Sequence, residues 1–321
     1  MMQMRTTGTT GLREVVEKST TSLDSRRRAL RARRLRRGWV ALALVVPAAL
    51  VYVVFVLRPL LLTFQFSFYD WNGVGPSTWV GVDNYTRLFG DPEMLGSIAN
   101  ALQLIVYFSF VPVLLGLLTA ATIRKMATSH LAMVSRTVLF LPQVIPLVAA
   151  GIMWTWLMSS DGLVNELLRA VGLGSFTKAW LGDFDTALPA VGVIGAWVAL
   201  GLCMLLLLSG MTKIDPSLYE AARIDGAGAV REFFSITLPS LRQEIGVCVT
   251  VTVIAALASF DIVYISTQGG PGNSTLVPGL EIYYLAFFSR EIGQASALAV
   301  AFMVLVLAII LPIQRLTRER D

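Results

Sequence analysis

Five stretches of this chain run for twenty or more residues without a charged side chain, and no other feature constrains the fold as strongly. Twenty uncharged residues lie between Arg37 and Arg58, thirty between Glu93 and Arg124, and twenty-four between Arg136 and Asp161. Twenty-seven lie between Asp185 and Lys213 and twenty-three between Glu291 and Arg315. A helix needs about 20 mostly apolar residues to cross a bilayer, so each stretch is long enough to span. A sixth is interrupted once, because Asp261 is the only charge from Ile245 to Leu280. The spacing predicts an all-α membrane protein of six transmembrane helices over about 38–66, 97–123, 132–158, 187–211, 241–266 and 292–314. Composition agrees. At 55% hydrophobic and 15% charged residues, with a mean hydropathy of +0.68, the chain is too apolar for a pair of soluble domains or for disorder. Its two cysteines, Cys203 and Cys248, lie in apolar runs and read as small helix-packing residues.

Orientation follows from Lys and Arg, which are retained in the cytoplasm. Of 26 basic residues, 21 fall in the tail before Gly38, the 124–136 and 211–244 connections and the C-terminal tail. Arg58, Arg87, Arg169, Lys178 and Arg290 fall on the opposite face. Both termini are therefore expected in the cytoplasm. The run RRRALRARRLRR at Arg26 to Arg37 admits a nucleic-acid patch, a twin-arginine export signal or a cytoplasmic anchor. An export signal has a shorter apolar core and a cleavage site, which favours the anchor. Residues 1–37 are expected to be a basic, disordered tail preceding a membrane domain over 38–321. The net charge of +5 then reports topology and adhesion to anionic lipid, with no nucleic-acid partner.

Catalytic chemistry is scarce. His130 is the single histidine and sits in a short connection, and no HExxH, CxxC or paired carboxylates occur within a span. Lys18, Lys125, Lys178 and Lys213 follow Glu, Arg, Thr and Thr, so no Gly-Lys-[Ser/Thr] is present to cradle phosphate. The chain is expected to be no enzyme and to bind no cofactor or metal. Any work driven by ATP must come from another polypeptide.

The longest cytoplasmic connection reads KIDPSLYEAARIDGAGAVREFFSITLPSLRQE from Lys213 to Glu244. Asp215 is a good N-cap and Pro216 suits the first helical position, with about two turns over Ser217 to Ile224. Gly226 suits a left-handed closing residue. Ala229 to Ile236 then form a second short helix carrying Phe233 and Phe234, which Leu238-Pro239 stops before the next span. Such a helix-turn-helix could rest on the bilayer as an amphipathic loop. Against that, Ala221, Ala222, Gly226, Ala227 and Gly228 leave a shallow surface of small residues, flanked by Glu220, Arg223, Asp225 and Arg231. Small residues let a partner approach and the charges orient it.

Glu220-Ala221-Ala222, Asp225-Gly226-Ala227, Ile236 and Leu238-Pro239 resemble the EAA motif of permease subunits in binding-protein-dependent ABC importers. RPLLLTFQFSFYDW at Arg58, GVDNYTRLFGDP at Gly81, FLPQVIP at Phe140 and FDIVYISTQGGPGNST at Phe260 are similar to landmarks of the carbohydrate-uptake branch, of maltose-permease type. The resemblance runs from about residue 38 to the end, with Arg58 where the family often has an aromatic residue. It implies a type I importer transmembrane domain whose EAA loop enters a groove of a cytoplasmic ATPase dimer. Glu220 would be the electrostatic contact, Gly226 would shape the turn, and Ala221, Ala222, Asp225, Ala227 and Pro239 would complete the coupling surface. ATP and Mg²⁺ would be bound by the ATPase. A second permease subunit would complete a heterodimer, and an extracytoplasmic sugar-binding protein would deliver the ligand to the loops at 59–96, 161–186 and 267–294. The setting implied is the bacterial inner membrane.

Within the spans, Asp261 stands out, because an unpaired charge facing lipid costs about 3 kcal/mol. It either faces the pathway or pairs within the chain. Trp197 precedes Glu220 by 23 residues, the offset at which maltose-type permeases place a sugar-stacking tryptophan. By the same resemblance Leu202, Thr252 and Ser259 occupy pocket positions, although maltose-type permeases have an aromatic residue where Leu202 stands. Thr252 and Ser259 are seven apart, on one helical face. Trp154, Trp156 and Trp180 read as interfacial belt residues. Gln103 and Tyr107 fit either a pocket or helix packing.

Three function classes compete. A permease half for a di- or oligosaccharide needs six spans, a docking loop and no P-loop; glycerol phosphates or other polar solutes are alternative cargo. An ion-coupled secondary transporter would carry several intramembrane carboxylates and often a repeat, where here only Asp261 qualifies. A membrane transferase would need a nucleophile, base or metal constellation, and none is visible.

Overall fold

The computed structural model describes residues 44–126 and 129–317. The basic tail expected over 1–37, and the domain boundary placed at 37/38, lie outside the described residues. The chain divides into a unit ending at Leu62 and a unit beginning at Thr63. The first contributes most of helix α1, Leu44–Phe66, a run of aliphatic residues with one widened turn at Val53–Leu57.

In the second unit a short antiparallel ladder comes first, with β1 (Tyr69–Asp70) paired to β2 (Thr78–Trp79). Next is α2 (Asp83–Gly90), whose Asn84 is buried and donates to the carbonyls of Ser67 at 3.0 Å and Tyr69 at 2.9 Å. The conspicuous asparagine of GVDNYTRLFGDP is thus a fastener between hairpin and helix.

Helix α3 runs over Pro92–Lys125 and starts five residues before the expected 97. The reason is local: the Asp91 side chain accepts from the Glu93 amide at 2.8 Å, and Pro92 occupies a first-turn position where no amide is needed. The expected span over 132–158 is two helices, α4 (His130–Val144) and α5 (Leu147–Leu157), bent by 102°. Pro146 forbids its neighbour a helical conformation, and Ile145 is extended at ψ 128°. A short α6 (Leu163–Ala170) leads to α7 (Ala187–Thr212), the central helix.

Small residues let other helices close on α7. A β-carbon on Gly195 would lie 2.1 Å from the Phe108 ring, and one on Gly201 would lie 2.3 Å from the Leu139 carbonyl oxygen. Near one end of α7, Leu188, Val191 and Ile194 pack with Leu104, Phe108, Ile262, Val263 and Leu280. Near the other, Cys203, Met204, Leu207 and Met211 pack with Leu117, Ala120, Ile123 and Leu241. Both cysteines are free and buried there.

Then come α8 (Pro216–Ile224), α9 (Ala229–Ser240), α10 (Arg242–Leu257) and α11 (Phe260–Ser266). Two expectations change here. Leu238-Pro239 does not stop α9: Pro239 sits in the first turn of a new α-helical segment after a widened turn at Phe233–Thr237, so no hydrogen bond is lost. The direction changes by 68° at Leu241 instead. The helix expected over 241–266 breaks at Ala258-Ser259, between α10 and α11. Finally α12 (Pro278–Tyr284) leads through a widened turn to α13 (Ile292–Thr317). Among the described residues four helices are long and apolar enough to cross a membrane, and six spans result if each bent pair counts as one.

Candidate docking surface and membrane pocket

The segment from Lys213 to Glu244 is organised by three local devices. The Asp215 side chain caps α8 by accepting from the Ser217 amide at 2.9 Å, and the backbone and hydroxyl of Ser217 hold that carboxyl below its ordinary pKa. At the other end Gly226 takes φ +76°, its amide donates to the Arg223 carbonyl at 3.0 Å, and the Ala227 amide donates to Ala222 at 2.9 Å. These two bonds are a Schellman closure, so the spacing from Ala222 to Gly226 and Ala227 has a backbone reason. Arg223 Nε then donates to Glu232 Oε1 at 2.8 Å, which pins α8 to α9.

Those bonds leave one face of α8 open. Glu220, Ala221, Asp225 and Gly226 are exposed, Ala222 and Ala227 are half-buried, and Ile224 is 87% exposed. Among the described residues neither Glu220 nor Asp225 forms an ion pair. Pro239 is exposed but stands apart from this group. It lines a cleft of about 830 Å³ with Lys213, Asp215, Arg242, Glu244 and Arg315, whereas Glu220 lines a separate cleft of about 330 Å³.

Sequence reasoning missed what holds α8 in place. Tyr219 is the only buried residue of that helix. Its hydroxyl receives a 2.6 Å hydrogen bond from Arg124 Nη1 and shares one of 2.9 Å with buried Thr237 of α9. The Arg124 guanidinium carbon also lies 4.4 Å from the Tyr219 ring centroid. The available signal was a lone aromatic on the inner side of a polar helix.

The expected pocket residues separate by environment. Trp197 is half-buried and meets Trp154 edge to face at 5.5 Å. Leu202 is half-buried on the same helix. Thr252 is buried and fully used, its hydroxyl donating at 2.8 Å to the Cys248 carbonyl of its own helix and sharing a 2.8 Å hydrogen bond with Ser109 Oγ of α3. Ser259 is buried at the α10–α11 break, so it does not share a continuous helical face with Thr252, and its hydroxyl has no partner among the described residues. Asp261 is exposed in the first turn of α11 and forms no ion pair among the described residues. Tyr107 is half-buried against α7, where a β-carbon on Gly192 would strike its ring, while Gln103 is exposed. Of the three belt candidates Trp156 is 78% exposed, whereas Trp180 donates to Asn165 Oδ1 at 2.8 Å and Trp154 is turned inward. Among the described residues no group of three His, Cys, Asp or Glu side chains could hold a metal ion.

Helices of membrane length, with α3, α4 and α10 packed on α7 and a capped helix-turn-helix in the chain between two spans, define a multi-pass membrane domain. The chain belongs to the family described as binding-protein-dependent transport system inner membrane component, which it matches over residues 112–316. It is 34% identical to the diacetylchitobiose uptake system permease protein NgcF of Streptomyces coelicolor over 85% of this chain and 81% of that one. It is 32% identical to the lactose transport system permease protein LacF of Rhizobium radiobacter, over 84% of this chain and 90% of that one. Its fold is that of a chain in a bacterial ABC transporter that imports the acidic polysaccharide alginate, with a TM-score of 0.75 at 24% identity, covering 89% of this chain and 97% of that one.

Proposed function

We propose that the chain is one half of the translocation pathway of an ATP-driven importer for a di- or oligosaccharide in a bacterial inner membrane. Both termini and the 213–244 segment face the cytoplasm, as the basic-residue bias requires. A second permease subunit forms the other half. An extracytoplasmic sugar-binding protein presents the cargo, and a cytoplasmic ATPase dimer binds ATP and Mg²⁺, which this chain does not.

The observation that carries this reading is α8 with its Schellman turn. Ala221 and Gly226 are exposed, Glu220 and Asp225 form no ion pair among the described residues, and its far side is fixed to the helix bundle. A surface held this rigidly, with unused charge, suits docking to another polypeptide more than resting on lipid. Glu220 supplies the charge that orients the ATPase, and Ala221, Ala222, Asp225, Gly226 and Ala227 form the contact, with Pro239 at its edge. In the membrane Trp197, Leu202, Ser259 and Asp261 border the sugar route, and Thr252 supports it from behind. Sugar class rests on the relatives named for diacetylchitobiose and lactose. ATP binding on one face and the loaded binding protein on the other bias a two-state helix bundle between inward and outward openings.

The test is affinity purification of the tagged chain from the membranes of the cell that makes it. Retention of a P-loop ATPase and a second permease subunit in stoichiometric amounts supports the reading. A chain that purifies alone and transports alone contradicts it.

A further inference from the structure

We propose that Arg124 and Tyr219 form the mechanical link through which movement of α8 reaches the membrane pathway. The inference rests on the docking reading above and adds residues that the docking surface itself does not contain.

Tyr219 is the only side chain by which α8 is buried, at 8% exposure. Its ring is covered by the Arg124 guanidinium, and its hydroxyl binds both Arg124 and Thr237. Arg124 lies in the last turn of α3, where a cation is also favoured by the helix dipole. A charge-assisted hydrogen bond combined with a cation–π contact is among the stronger polar couplings available to two side chains. A shift of α8 therefore moves the end of α3 with it or breaks this node.

Movement of α3 cannot stay local. Its body meets α7 through contacts with no slack: Cys203 lies 2.9 Å from where a β-carbon on Gly116 would be, and the Phe108 and Tyr107 rings lie against Gly195 and Gly192. Ser109 of α3 also shares a 2.8 Å hydrogen bond with Thr252 of α10. Interiors packed this closely transmit displacement. The route from Tyr219 through Arg124 and α3 ends at Gly192 and Gly195 of α7, the helix that also carries Trp197. Tyr219 and Arg124 are positioning residues in this scheme, since neither is placed in contact with cargo or nucleotide.

The experiment is amide hydrogen exchange on the assembled complex, nucleotide-free and trapped with ATP and vanadate, in the original protein and in Tyr219→Phe and Arg124→Gln. Tyr219→Phe keeps the ring and removes the hydroxyl, and Arg124→Gln keeps length and removes the charge. In the original complex, trapping is expected to change exchange in both 216–224 and 111–125. Each variant should keep the change in 216–224 and reduce that in 111–125 about fivefold, with the double variant no worse than either single one. A merely structural role would raise exchange equally in both nucleotide states. The link is overturned if trapping leaves 111–125 unchanged in the original complex, or if both variants retain its full response. Failure of the complex to retain an ATPase would instead overturn the docking reading on which this rests.

Discussion

The indole rings of Trp154 and Trp197 meet edge to face, with centroids 5.5 Å apart and planes at 75°, while Nε1 of Trp154 is buried with no partner among the described residues. This joins α5 to α7 at the residue proposed to stack on sugar. An aromatic pair adds about 0.5–1.5 kcal/mol beyond its buried area, so Trp154 holds the Trp197 ring in one orientation. Trp197→Ala should raise the sugar concentration for half-maximal stimulation of ATP hydrolysis about tenfold while the complex still co-purifies. Trp154→Ala should have a smaller effect in the same direction. An unchanged stimulation curve for Trp197→Ala would remove it from the pathway.

At the docking surface, Glu220→Lys should abolish uptake with normal abundance in the membrane, because the substitution reverses an exposed, unpaired charge without touching the core. Gly226→Pro should do the same for a different reason. Proline fixes φ near −65°, against the observed +76°, and removes the amide that bonds Arg223. Quantitative blotting of membranes beside an uptake assay checks both.

Thr252 and Ser109 form a buried hydroxyl pair between two membrane helices. Interhelical hydrogen bonds of this kind contribute about 0.6 kcal/mol on average. Thr252→Val and Ser109→Ala should each destabilise the purified protein modestly, and a double-mutant cycle of detergent unfolding should show positive coupling between them. Additive losses would mean that the bond contributes nothing.

In the first turn of α12, Glu281 is buried, and burial, then the charges of Glu93 and Asp91, push its pKa up to about 7. For an acid raised on folding, the folded state binds the extra proton between its ordinary value and about 7, so stability is fullest below that window and falls as pH rises through it. Protease cleavage within 267–291 should therefore be faster at pH 8 than at pH 5, beyond the protease's own pH dependence. Glu281→Gln should remove most of that difference.

What was legible in the sequence followed from spacing. Charge-free runs located the membrane-length helices among the described residues, since a span needs about 20 mostly apolar residues and thirty uncharged ones lie between Glu93 and Arg124. The α8 cap and its glycine closure were legible because Asp215-Pro216 and Gly226 act on their own backbone neighbours. Breaks were less visible. Apolar composition runs unchanged through Ile145-Pro146 and Ala258-Ser259, so charge spacing reads two helices as one. The Arg124–Tyr219 bond was hidden altogether, because its partners are 95 residues apart and each had a simpler reading by itself. Asp261 was visible as an anomaly because it is the only charge between Ile245 and Leu280.

The central claim is that this chain carries cargo only as half of an ATP-driven pair. It is tested most directly by sugar uptake into proteoliposomes containing the chain, its partner permease, the binding protein and the ATPase. Uptake should require hydrolysable ATP and should cease when the phosphate-binding lysine of the ATPase is replaced. Uptake that persists in vesicles lacking the ATPase, driven by an ion gradient, would contradict the account.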